Sequence, residues 1–242
     1  MSSPSIQLAA NPTTYSLVNC TKGRRSGITS PLEGAVGAVI KIGNDEVPWC
    51  AYNEHVAFEL GKRIGAPVAT GALVQTGHVV SFASLAIQLA GVKLHNVPKR
   101  DLAKAIELYP DSCARILAFD YWIGNWDRGS NIKISVLGNA LTCFAAFDHS
   151  HCLLSISNSP DESIKQLAAR EPVPLAHPFE SFVRLLPLSN ALQRISDIPD
   201  YQIEDCCRTG TLFPEVPESI QAKLATALSV RREFLASLIW GS

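Results

Sequence analysis

Asp127 and Asn131 lie four positions apart just ahead of an alternating stretch, in which Ile132, Ile134 and Val136 are interleaved with Lys133 and Ser135. Asp148 follows the apolar run LTCFAAF, and Gly138-Asn139 between the two stretches supplies a reversal. The pattern predicts a hairpin whose polar ends meet. Two carboxylates and an amide are hard oxygen donors or bases. They suit Mg²⁺, which keeps several of its waters, and phosphate chemistry in which one aspartate positions a hydroxyl while the Asn and the other Asp hold metal. Such a site also needs a cation for the nucleotide phosphates and a loop over them. Lys41 ends an expected buried strand, Ala35 to Ile42, soon after GRRSGITSP, and Glu54 on the next helix can pair with it.

Each residue has a plainer reading. Lys41 fits a lysine snorkelling at a strand end, and Glu54 competes with Glu59 or is simply solvated. Asp127 and Arg128 fit a loop ion pair, and Asp148 fits a cap for the next turn. A loop ion pair leaves unexplained why Asn131 and Asp148 stand at matching ends of one hairpin.

The elements that must hold these residues are legible from periodicity. Val56, Leu60 and Ile64 recur at helical spacing within 53–64, and Gly65 with Pro67 stops that helix. Val68 to Val74 and Val79 to Phe82 read as strands around a turn at Thr76-Gly77. A helix over 112–123 is capped by Asp111 or Ser112 and ended by Gly124-Asn125. The chain then becomes helical and proline-punctuated, closing with a helix opened by Pro217 and striped by Ile220, Leu224, Leu228, Leu235 and Ile239.

Taken in order, strand-Lys41, helix-Glu54, Asp127-Arg128-x-x-Asn131 and Asp148 resemble the motif order of protein-kinase-like folds. FDYWIGNWDRGSNIKI followed by FAAFDHSH is similar to the atypical branch that contains HipA-like kinases and the phosphatidylinositol kinases, and NEHVAFELGKRIGAPV resembles the glutamate-bearing helix of HipA-like kinases. The resemblance spans about half the chain, from Gly23 to His151. It implies an α+β, two-lobed kinase-like fold: an N-lobe over 1–85 with an antiparallel sheet and one helix, and a mostly helical C-lobe over 86–242. It implies Asp127 as catalytic base, Asn131 and Asp148 as magnesium ligands, Lys41 as the contact to the α- and β-phosphates and Glu54 as its orienting partner. The loop over the phosphates would be formed by Ser26, Gly27, Thr29 and Ser30 with their backbone amides. The expected function is an ATP- and Mg²⁺-dependent kinase acting on Ser or Thr of a protein, with a regulatory protein partner as a further expectation. The Asp127 to Asn131 spacing is one residue shorter than the family's. That spacing keeps a nucleotide-binding pseudokinase acting through partner contacts open, and a protein nucleotidyltransferase using the same cleft is a further alternative. A left-handed Gly129 would absorb the missing residue.

Composition bounds the rest. With 242 residues, 47% hydrophobic and 18% charged, the chain can build a substantial core. A formal charge of −1 supplies no global field for nucleic acid or an anionic membrane. The start, MSSPSIQLAANPTTYSL, lacks the pattern of a secretory leader, so the expected location is cytoplasmic. Seven cysteines without a C-x-x-C pair read as reduced structural thiols. Asp148, His149, His151 and Cys152 offer zinc ligands, but at a spacing that needs a further ligand from elsewhere.

Overall fold

The expected strand from Ala35 to Ile42 is two strands, because the chain changes partner at Gly37. The computed structural model describes residues 17–22, 32–87, 94, 96–135, 143–171, 173 and 177–240. Strand β1 (Leu17–Lys22) pairs antiparallel with β2 (Leu32–Val36), whereas β3 (Ala38–Lys41) pairs with β5 (Val79–Leu85) of a separate three-stranded sheet. Gly37 turns its carbonyl to the Ala86 N–H at 2.9 Å, which seats the junction against the end of β5. Strand β4 (Gly71–Thr76) completes the sheet in the order β3-β5-β4. As an edge strand β3 is exposed rather than buried, Val39 at 56% and Ile40 at 51%. Its end residue Lys41 lies opposite Phe82, a core side chain of β5.

Between β3 and the first helix, Asn44 Oδ1 accepts the N–H groups of Glu46 and Val47, so the polar turn read from GNDEVP is an Asx turn. Helix α1 (Cys50–Ile64) starts three residues earlier than the periodicity predicts and ends at Gly65 in the left-handed conformation. Val56, Leu60 and Ile64 are buried as their spacing requires. The N-terminal turns of α1 reach well beyond the sheet. Tyr52 donates its hydroxyl to the Cys207 carbonyl at 2.8 Å, and Asn53 Nδ2 donates to the Ser150 carbonyl and to Ser155 Oγ.

The remainder is largely helical. Helix α2 (Leu102–Leu108), which periodicity did not predict, leads into α3 (Pro110–Ile123), whose first residue is Pro110 at the position where a missing N–H costs nothing. Strands β6 (Ile132–Ile134) and β7 (Phe144–Ala146) form the expected hairpin, with Ile132 opposite Ala146; its Gly138-Asn139 turn lies outside the described residues. Helices α4 (Pro160–Ala168), α5 (Leu188–Ser196) and α6 (Asp200–Cys207) surround α7 (Glu218–Trp240), which buries Leu224, Leu228, Leu235 and Ile239. Arg231 of α7 is wholly buried. Its Nε donates to the Tyr121 carbonyl at 2.7 Å and its Nη1 to the Leu167 carbonyl at 3.1 Å, acceptors in the last turns of α3 and α4 that lack intrahelical donors. Burial brings this guanidinium down to about 10, so it keeps its charge at neutral pH. Cys50, Cys113, Cys143, Cys152, Cys206 and Cys207 are free and buried. Among the described residues no helix is long and apolar enough to cross a membrane.

Candidate active site

Helix α3 carries one acid in an otherwise apolar stretch, and that acid organises the loop after it. Asp120 is fully buried and accepts four hydrogen bonds: Arg128 Nε on Oδ2 at 2.7 Å, Arg128 Nη2 on Oδ1 at 2.8 Å, Asn125 Nδ2 on Oδ1 at 2.9 Å, and His177 Nε2 on Oδ2 at 2.9 Å. Burial alone would raise its pKa. The charge and hydrogen bonds of Arg128, together with His177, outweigh that and hold the carboxyl well below the usual range. The bidentate grip on Asp120 leaves Arg128 Nη1 free to donate to the carbonyls of Asn131 at 3.0 Å and Phe147 at 2.6 Å. One guanidinium therefore ties the end of α3 to both open ends of the β6–β7 hairpin. The loop ion pair of Asp127 with Arg128 is not formed, because Arg128 turns inward to Asp120.

The chain enters this loop through Gly124 in the left-handed conformation. It sits at φ 66°, and an added Cβ there would stand 2.4 Å from Ile156 Cδ1. Gly129 also has a positive φ, 22°, as the shortened spacing predicts. Its side is open, with no atom nearer to an added Cβ than Asp127 Oδ1 at 3.9 Å, so any cost of a side chain there comes from the backbone. We expect Gly129→Val to lower stability by about 1–3 kcal/mol in urea denaturation. A wild-type midpoint would show that the loop relaxes without strain.

At the hairpin's open end Asn131 lies across from Phe147, whose N–H donates to the Asn131 carbonyl at 3.1 Å, and Asp148 is the next residue. Asn131 Nδ2 donates to the Asp127 carbonyl at 2.9 Å, which packs the two loop residues together. Asp148 has φ 59°, a conformation that aspartate tolerates better than most residues with a side chain. In that conformation its Oδ1 meets Lys41 Nζ at 2.7 Å and Ser150 Oγ at 2.8 Å. Burial would raise the Asp148 pKa, but the hydrogen bonds from Lys41 and Ser150 and the Lys41 charge bring it down to about 2. Lys41 Nζ is also 3.6 Å from Glu54 Oε1. Burial works against the Lys41 charge, and Asp148 with Glu54 more than restores it, leaving its pKa raised. Glu54 is 3% exposed and accepts the His149 N–H at 3.0 Å, so α1 is bonded to the residue after Asp148.

Lys41 and Asp148 lie at the edge of a cleft of about 640 Å³. Val39, Leu85, Ala86, Ile87, Leu94 and Phe147 supply its apolar walls, and Ser84, Asn96 and Lys133 its polar ones. Its size is in the range of small-molecule sites.

The structure thus brings Lys41, Glu54 and Asp148 into direct contact, with Asn131 across the hairpin end and Asp127 in the loop bonded to it. Ser26, Gly27, Thr29 and Ser30 lie outside the described residues. Glu59 pairs with Lys62 and not with Lys41. The zinc ligands read from the sequence diverge: Cys152 Sγ is buried and donates to the His149 carbonyl, while His151 packs on Trp126 with ring centroids 5.0 Å apart. Burial and the neighbouring Glu54 push the Cys50 thiol up to about 11, far from a reactive thiolate. Asp120, Arg128 and His177 were missed as a unit. The signal for Asp120 was present, a lone acid inside LAFDYWI, but its partners are set by tertiary packing.

A three-stranded sheet with α1, a helical body and an Asp-ended hairpin between them define a two-lobed α+β kinase-like fold. The Helicobacter pylori proinflammatory kinase CtkA is similar over 96% of this chain and 100% of its own, at 15% identity and a TM-score of 0.57. HipA of Shewanella oneidensis MR-1, solved with HipB and operator DNA, aligns over 97% of this chain and 69% of its own, at 13% identity and a TM-score of 0.49. Neither a protein-family model nor a curated protein matches the chain.

Proposed function

We propose that this protein is an ATP- and Mg²⁺-dependent kinase that transfers the γ-phosphoryl group to a Ser or Thr hydroxyl of a protein. The observation that carries the reading is the Lys41 ammonium held between Asp148 and Glu54 at the edge of an apolar-walled cleft. The kinase-like fold and the motif order support it. In this reading the N-lobe ends near residue 85, the last residue of β5.

The donor set fits the metal. Asp148 and the Asn131 amide oxygen are two hard ligands, and Mg²⁺ takes its remaining positions from phosphates and water. When bound, the metal would supply charge neutralisation at the phosphate oxygens. Asn131 and Asp148 hold it, and the apolar walls formed by Val39, Ile87, Leu94 and Phe147 hold the base. Lys41 binds the α- and β-phosphates, oriented by Glu54, while Ser26, Gly27, Thr29 and Ser30 cover them. Asp127 accepts the proton of the acceptor hydroxyl as the new oxygen–phosphorus bond forms and ADP leaves.

A nucleotide-binding pseudokinase is the second reading. It is favoured by the Asp127 to Asn131 spacing, one residue shorter than in the family the chain resembles. Label transferred from γ-phosphate to protein supports the kinase. Label from α-phosphate supports nucleotidyl transfer, and nucleotide binding without transfer supports the pseudokinase. In all three cases Mg·ATP at a hundred times its dissociation constant should stabilise the fold by about 2.7 kcal/mol. Thermal melts at millimolar nucleotide measure this, and an unchanged Tm would remove the common basis of all three readings.

A further inference from the structure

The contacts that set the loop begin at a side chain far from the nucleotide cleft in sequence. His177 is buried just before the 3₁₀ turn at Glu180–Leu185. Its Nε2 is 2.9 Å from Asp120 Oδ2, and its Nδ1 accepts the Phe179 N–H at 3.1 Å. The second bond fixes the tautomer: Nδ1 offers a lone pair, so the proton is on Nε2 and is donated to the carboxylate. Asp120 Oδ2 also accepts from Arg128 Nε, so His177 and Arg128 share one oxygen. Arg128 then carries that geometry to the carbonyls of Asn131 and of Phe147, the residue before Asp148.

The neutral ring with Asp120 and Arg128 forms a buried unit of zero net charge. A second proton, on Nδ1, would set N–H against the Phe179 N–H and add uncompensated positive charge among groups with no access to solvent. The charged groups that face the ring are Asp120 from α3, Arg128 from the loop and Glu180 from the 3₁₀ turn. Burial first, then Arg128, works against protonation and prevails over Asp120 and Glu180, so the His177 pKa is lowered.

We propose that His177 is a positioning residue for the candidate catalytic loop: as the neutral Nε2–H tautomer it holds Asp120, and through Asp120 the Arg128 guanidinium, in the arrangement that sets Asn131 and Asp148, and its protonation releases that arrangement. The link to phosphoryl transfer rests on the function proposed above. The link to loop order does not.

Two variants separate this role from simple packing. His177→Gln keeps a donor for Asp120 and removes the titration, while His177→Phe fills the space and removes the donor. Because burial lowers the His177 pKa, wild-type transfer of γ-label should hold through the ordinary histidine range and fall only in more acid solution. His177→Gln should lack that acid limb. At neutral pH His177→Phe should lower transfer by about 10–100-fold, partly rescued by raised Mg²⁺. Independently of activity, ¹⁵N-histidine spectra of the full chain should show an Nε2–H ring at neutral pH. Amide exchange over 129–132 and 147–149 should be faster in His177→Phe than in wild type or His177→Gln. A ring that carries its proton on Nδ1, or unchanged amide exchange in those segments in His177→Phe, overturns the proposal. If wild type and both variants lack transfer yet the spectra and exchange follow the pattern, the clamp stands and the kinase reading fails. Should His177→Phe not fold, the wild-type tautomer and the acid limb of His177→Gln decide the matter.

Discussion

Asp127→Ala should reduce phosphoryl transfer by about 10²–10⁴-fold, the range lost when a general base is removed, while nucleotide-induced stabilisation stays close to wild type. The expectation follows from where the side chain stands. Asp127 is half-buried, and its backbone supplies the loop contacts, its carbonyl accepting from Asn131 and its N–H donating to Asn125 Oδ1. The neighbouring cation is committed to Asp120. Removing the Asp127 carboxylate therefore takes little from the fold. Asp148→Ala should behave differently and impair both transfer and nucleotide-induced stabilisation, because Asp148 is the direct partner of Lys41 at 2.7 Å. The two variants, assayed side by side with γ-labelled ATP and by thermal melts, separate a base from a ligand. Equal label incorporation by wild type and Asp127→Ala would show that Asp127 is not the base.

Asp120→Ala should cost about 3–5 kcal/mol of stability, because it strands the Arg128 guanidinium in a place without water. Both side chains of that pair are fully buried, and Asp120 satisfies Arg128, Asn125 and His177 together. Asp120→Asn should fall between wild type and Asp120→Ala, since its amide oxygen still accepts one or two of those bonds. The pH dependence follows from the sign of the shift. The folded carboxyl titrates below its unfolded value, so its contribution is fully present above about pH 4 and is given up as the pH falls below that. Urea denaturation of wild type and Asp120→Asn should thus give a constant difference between neutral pH and about pH 5, narrowing only in stronger acid. An Asp120→Ala protein within about 1 kcal/mol of wild type would mean that Arg128 finds water or another acceptor.

The parts of this arrangement that were legible in the sequence are those whose signal is local. Gly65 after a 3.6-period stripe marks the end of α1, and Asp127, Asn131 and Asp148 stand beside strands with clear alternation. What was not legible depends on partners distant in sequence. The run around Gly37 reads as one strand because nothing within it says that its two halves pair with different sheets. Val39 and Ile40 read as buried because apolar residues in a short run carry no mark of an edge position. Arg128 beside Asp127 invites a local ion pair, whereas its actual partner lies eight residues back on α3 and is shared with His177, 57 residues beyond Asp120. Helix α2 was missed because it is only seven residues long.

The reach of α1 has a bearing on how the protein is made. Tyr52 donates to a carbonyl 155 residues further along the chain, and the same helix packs against α5 and α6. At a synthesis rate of about 5–20 residues per second, the ribosome needs about 8–30 s to deliver that partner. Throughout that interval part of the apolar face of α1 has nothing to lie against. Helix α1 is thus finished late, although it is made before the helices it packs against. The packing of α1 is therefore completed only once α6 has been made.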